Sequence, residues 1–183
     1  MITIISPAKT LDFETQAPIE IMSTPHFQKD ADYLASKLGK LKPSELSKLM
    51  KISAKLADLN AMRYASWKNA PHKQAIFAYN GDVYDGLEAS SLSPTEIDFA
   101  QHNLRIISGL YGLLQPLDAI KPYRIEIGTG FATPKGENLY KYWGDRITNQ
   151  LQKSLKESEN NVLVNLASQE YFAAINTKKL KAR

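Results

Sequence analysis

The residues best suited to chemistry are cations at the ends of short apolar runs. Lys9 follows ITIISPA, Arg105 lies in LRIIS, and Arg124 lies in PYRIEIG. Together they would form a positive cleft for an anionic ligand. Polar groups accompany them: Asn80, Asp82 and Tyr84 in NGDVYDGL, and Ser108 and Tyr111 in RIISGLYGLLQPLD. Glu126 stands two residues from Arg124, so on a strand the two share one face. Polar clusters at strand ends are where α/β proteins build sites. The plain alternative is a set of buried ion pairs and turn residues.

No recognised catalytic device joins these residues, so no catalytic role is assigned. There is no G-x-x-x-x-G-K-[ST] loop and no G-x-G-x-x-G after a strand. The three histidines, His26, His72 and His102, lack ligand spacing, and no metal or cofactor is expected. Absence of cysteine excludes disulfides, zinc-thiolate sites, iron–sulfur clusters and thiol redox chemistry.

A second set of residues is LMKISAKLA (49–57). On one straight helix, Leu46, Leu49, Met50, Leu56 and Ala57 share a side, with Lys48, Lys51 and Lys55 opposite. Ile52 and Leu59 then land near the lysine edge. The alternative is two short helices, roughly Ser44–Met50 and Ser53–Leu59, turning at Lys51-Ile52. That arrangement is similar to a helix-hairpin-helix over 44–60, which offers first-turn amides to a phosphate. Ile52 would plug the turn into the core and Ser53 would cap the second helix. Lys51 and Ser53 replace the two glycines usual in that hairpin.

The elements that must position these residues alternate in type. ITII (2–5), AIFAY (75–79), LRIIS (104–108) and NVLVNLA (161–167) read as strands. Helices are predicted from Thr24-Pro25 to Leu38, from the SPTE capping box (93–96) to His102, from Glu137 to Lys156, and after 167. This pattern predicts a single compact α/β domain.

The 183 residues carry a net charge of +4, with a pI near 9.1. The charge is unevenly spread: residues 37–55 sum to +5, residues 1–36 to −3, and KKLKAR closes the chain. Such asymmetry suits an anionic partner, and a solvated lysine face would produce it too. MITIISP is too short an apolar run for a signal peptide, and no window approaches the ~18 apolar residues of a membrane span. A cytoplasmic protein without membrane or disulfide partners is expected.

Taken together, SPAKTLDF, LSKLMKISAKLADLN, FAYNGDVYDGL, LRIISGLYGLLQPLDAIKPYRIEIGT, YKYWGD and NLASQEY resemble the YaaA family of bacterial peroxide-stress proteins. The resemblance implies a single-domain α/β fold with a basic cleft and a helix-hairpin-helix. It also implies cytosolic, sequence-nonspecific binding of duplex or branched DNA, linked to hydroperoxide protection. Carried over by position, the hairpin falls on Lys51, Ile52, Ser53 and Lys55, with Lys48 beside it. The cleft falls on Lys9, Asn80, Asp82, Tyr84, Arg105, Ser108, Tyr111, Arg124 and Glu126. Family members are expected to continue beyond NLASQEY through further strands and a basic helix. The competing reading is an enzyme acting on a small phosphate- or nucleotide-like anion.

Overall fold

The computed structural model describes residues 1–158 and 161–182. In chain order its elements begin with β1 (Ile2–Ile5), β2 (Thr10–Leu11), α1 (Gln28–Leu38), α2 (Pro43–Met50) and α3 (Ala54–Ala65). Next come β3 (Lys73–Gln74), α4 (Ala75–Ala78), β4 (Tyr79–Asn80), α5 (Asp82–Leu87) and α6 (Pro94–Asn103). The remainder are β5 (Leu104–Ser108), β6 (Gly112–Leu114), β7 (Ala119–Ile120), α7 (Leu139–Trp143), α8 (Arg146–Glu157), β8 (Leu163–Asn165) and α9 (Gln169–Phe172).

The main sheet has the order β6-β5-β1-β8. β1 runs parallel to both β5 and β8, and β6 returns antiparallel to β5. Two-stranded antiparallel ladders join β2 to β4 and β3 to β7. This is an α/β fold, as the alternation of elements predicts.

β1 alternates between two layers. Ile2 and Ile4 enter the main core with Ile106, Leu110, Trp143, Ile147, Leu151 and Leu155. A smaller cluster gathers Ile76, Phe77, Ala89, Ile97 and Leu117, with Leu104 packed against both. The SPTE capping box forms as predicted: Ser93 accepts from the Glu96 amide at 3.3 Å, and Glu96 returns to the Ser93 amide at 2.8 Å.

Three expectations are revised. AIFAY is not a strand: 75–78 form the single helical turn α4, and only Tyr79 continues as strand. A short run buried on every side has no period that separates helix from strand. Its leading amides instead bond the Asp118 and Pro116 carbonyls, each at 2.9 Å. The first helix begins at Gln28, because Thr24-Pro25 forms a preceding turn in which Pro25 accepts from Gln28. The 137–156 helix divides at Gly144, whose φ of 50° only glycine adopts without strain.

The loop after β2 is held by a buried lysine. Lys73 donates to the Asp12 and Thr15 carbonyls at 2.9 and 2.7 Å and lies 3.5 Å from the Asp12 carboxylate. That carboxylate also accepts from the amides of Thr15 and Glu14, and these bonds, Thr15's foremost, hold it well below the ordinary carboxylate range. A depressed folded-state pKa adds stability that is present above the unfolded value, about 3.9, and lost as pH falls. Acid titration of the melting temperature should therefore drop less steeply below about pH 4 in Asp12→Asn than in the parent. Identical slopes would remove Asp12 from the acid response.

Candidate functional site

The site is organised by residues 121–127, an extended segment whose burial alternates strictly. Lys121, Tyr123, Ile125 and Ile127 face inward, while Pro122, Arg124 and Glu126 face out. A chain of buried hydroxyls anchors it. The Tyr123 hydroxyl lies 2.6 Å from that of Tyr79 and 2.7 Å from Ser108 Oγ. Ser108 Oγ in turn accepts from the amides of Leu110 and Tyr111. Burial pushes the Tyr123 hydroxyl up to about 12 and raises that of Tyr79 well above its ordinary value, so both stay neutral as hydrogen-bonding groups. At Gly109 the end of β5 presses on this segment: a Cβ there would stand 2.6 Å from the Ile125 carbonyl. Only glycine permits that approach.

On the outward face Glu126 is shared by two cations. Its Oε1 lies 3.6 Å from Lys9 Nζ and 3.4 Å from Arg124 Nη2. Lys9 is 66% exposed and Arg124 19%. Arg124 Nε is buried without a hydrogen-bond partner. Arg63 stands beside Arg124; burial, and after it the Arg124 charge, moves its guanidinium below the ordinary range, though it stays protonated at neutral pH. Tyr64, the next residue, donates to the Arg124 carbonyl at 2.8 Å and so ties α3 to the segment. Sequence reasoning did not select Arg63; its place beside a buried tyrosine on α3 was the only signal.

The lysine-rich stretch is two helices. Lys51 ends α2 in the left-handed conformation, with φ 52° and ψ 48°, and Ser53 caps α3 by accepting from Leu56. Ser47 holds the turn from both sides: its carbonyl accepts from Ile52, and its hydroxyl donates to the Ile52 carbonyl at 2.7 Å. Ile52 packs against the main core. Lys48 in the last turn of α2, Lys51 at the break and Lys55 in the first turn of α3 are all exposed; the amides of a helix's first turn have no intrahelical partners. Leu49, Met50 and Lys51 also line a depression of about 240 Å³ with Glu126, Gly128, Thr129, Gly130 and Glu170. The turn and the Lys9–Glu126–Arg124 group therefore border one surface.

The sequence matches the family described as peroxide stress protein YaaA over residues 1–183. A UPF0246 protein of Neisseria meningitidis serogroup A is 48% identical over 188 residues, covering 100% of this chain and 72% of its own length. UPF0246 proteins of Shewanella baltica strain OS185 and Burkholderia orbicola strain MC0-3 are each 50% identical, with 73% and 72% of their lengths covered. The chain belongs to the YaaA family.

Not every position carried over from the YaaA resemblance joins this surface. Arg105 is 5% exposed and bonds Ser154 Oγ and the Gln101 and Leu104 carbonyls, so it braces β5 against α6 and α8. It shares no partner with Lys9 or Arg124, and the three-cation cleft loses this member. Tyr111 is wholly buried, its hydroxyl accepting from the Lys121 amide. Ser108 is likewise internal and acts through Tyr123.

Asn80 and Tyr84 line a separate depression with Asp12, Asp85 and Glu88, whose charge is wrong for an anion. The Tyr84 hydroxyl donates to the Ser6 carbonyl. Asp82 starts α5 and is exposed. Of the closing basic cluster, Lys179 pairs with Asp145, and Arg183 lies outside the described residues.

A non-glycine residue in the left-handed region costs roughly 1–2 kcal/mol. Lys51→Gly should therefore raise stability by up to about 1 kcal/mol after the entropy glycine loses on folding. Ser53→Ala should lower it by about 0.5–2 kcal/mol through loss of the cap. Denaturant midpoints of the two variants check both signs; a destabilised Lys51→Gly would contradict the turn geometry.

Proposed function

We propose that this protein binds the DNA backbone with little sequence preference and serves the response to hydroperoxide stress, in a cytoplasmic setting. The α2–α3 pair acts as a helix-hairpin-helix, presenting α3's first turn and Lys48, Lys51 and Lys55 to phosphate. One observation carries this reading: the left-handed break at Lys51 lies on the same depression as Glu126, which ties Lys9 and Arg124 to it. A duplex lying on the turn would then reach the second set of cations. Phosphate contacts position a protein on DNA without reading bases.

A gel-shift series over salt concentration tests it. The slope of log K against log salt should be about −0.9 for each phosphate neutralised. Lys55→Glu should weaken binding and flatten that slope, while Glu45→Gln, on the opposite end of α2, should leave both unchanged. Binding that is absent at low salt, or indifferent to Lys55→Glu, would reject the proposal.

A second reading, an enzyme or binder acting on a small phosphate-like anion, is favoured by Arg124 Nε, buried without a partner beside Arg63. Arg124→Ala separates the two. Because its side chain makes one long bond to Glu126, the variant should melt within a few degrees of the parent. A nucleotide that binds the parent, loses affinity in Arg124→Ala and ignores Lys55→Glu would favour the small-ligand reading. Loss of DNA affinity in both variants favours the first.

A further inference from the structure

Elsewhere in this protein a buried cation is saturated with acceptors. Arg146 donates to Asp30 at 2.6 Å and to the Tyr142 carbonyl at 2.7 Å, while the Tyr142 hydroxyl bonds the same Asp30 oxygen at 2.6 Å. Arg105 commits its guanidinium to Ser154, Gln101 and Leu104. Arg124 departs from this pattern. Its side chain is 19% exposed, yet its one side-chain partner among the described residues is Glu126, met by Nη2 at 3.4 Å. Charge-assisted N–H···O bonds are normally about 2.7–2.9 Å long.

The loose contact has a defined shape. Nε and Nη2 lie along one edge of the guanidinium, the edge that meets two oxygens of a carboxylate or phosphate side by side. Glu126 brings a single oxygen, Oε1, to Nη2, and Nε is buried without a partner. The same Oε1 is shared with Lys9 Nζ at 3.6 Å, and Lys9 forms no other ion pair among the described residues. A buried donor left unpaired is unfavourable. The fork therefore suits a ligand with two oxygens better than it suits Glu126.

We propose that Glu126 is a placeholder for a phosphate group: it holds Lys9 and Arg124 in the free protein and is displaced when phosphate binds. The inference rests on the reading of this surface as an anion site, and adds what keeps the site and what it selects. Two phosphate oxygens take Arg124 Nε and Nη2, and Lys9 meets the same group. Only the Glu126 side chain has to move, because the backbone register is fixed by the bonds of Tyr123 to Tyr79 and Ser108. That side chain is 28% exposed and borders the depression of about 240 Å³, which receives the displaced carboxylate beside Gly128, Thr129 and Gly130. An anion that offers one contact gains nothing over Glu126, whereas one that fills the fork does. Glu126 is thus a specificity-determining residue, set against weak anions.

Duplex DNA and inorganic phosphate, titrated separately into the parent and into Glu126→Gln, test the inference. Glutamine keeps the size of the side chain and removes its charge, so affinity should rise about tenfold, a like charge beside a phosphate costing at least that much. The gain should vanish when Lys9→Ala and Arg124→Ala are also present, since Glu126 then holds nothing to release. Asp58→Asn removes an exposed acid from α3 and measures net charge alone; its gain should be smaller and the same in both backgrounds. A Glu126→Gln gain for the duplex assigns the phosphate to a DNA backbone, one for inorganic phosphate to a free ion, and one for both admits either source. Three results overturn the placeholder: a gain no larger than that of Asp58→Asn, a gain that survives loss of Lys9 and Arg124, or weaker binding, which would make Glu126 a positioning residue. Each leaves the hairpin reading standing, whose own failure shows as indifference to Lys55→Glu. A parent and variant that bind neither probe overturn both.

Discussion

Three buried hydroxyls, those of Tyr79, Tyr123 and Ser108, hold the candidate site in place. They fasten the end of β5 to a segment that has no sheet ladder of its own. Each hydroxyl is out of water, and leaving one unsatisfied costs about 1–3 kcal/mol. The segment is therefore confined to a register in which Tyr123 points inward, and Arg124 and Glu126 must point outward. Gly109 sharpens the constraint by letting the two backbones touch. The outward pair then has a defined place, and Lys9 meets Glu126 there.

The α2–α3 turn meets the same surface for a different reason. Tyr64 reaches from α3 to the Arg124 carbonyl, and Ile52 enters the core. The turn cannot swing independently of the segment bearing Arg124 and Glu126. Lys48, Lys51 and Lys55 are exposed and form no ion pair among the described residues; Glu45 is spent on the Lys42 backbone amide. Positive charge is thus carried on a support fixed to the core. Glu126 moderates the field locally, holding Lys9 and Arg124 near one another without filling the hydrogen-bonding capacity of either.

Much of this was legible in the amino-acid sequence. The two-residue spacing of Arg124 and Glu126 placed them on one face, and they are in contact. Ile52 and Leu59 conflicted with a single straight helix, and the chain breaks where that conflict predicts. β1, β5 and α6 follow from apolar runs and a capping box. In each case the determining interactions are local: alternation of side chains along an extended backbone, a serine in reach of its own helix amides, an apolar period that fails at one residue.

What only the tertiary structure decided concerns groups whose partners are remote in sequence. Arg105 was indistinguishable from Arg124 by type and setting, yet the helices packed on β5 enclose it and spend its donors on Ser154, Gln101 and Leu104. Arg63 carried no motif and became part of the site because Tyr64 docks beside Arg124. Residues 75–78 were apolar enough for a strand, and became a helical turn because the 116–118 loop claims their amides. Local chemistry determines which way a side chain leaves the backbone, and only the packing of distant elements determines what it meets there.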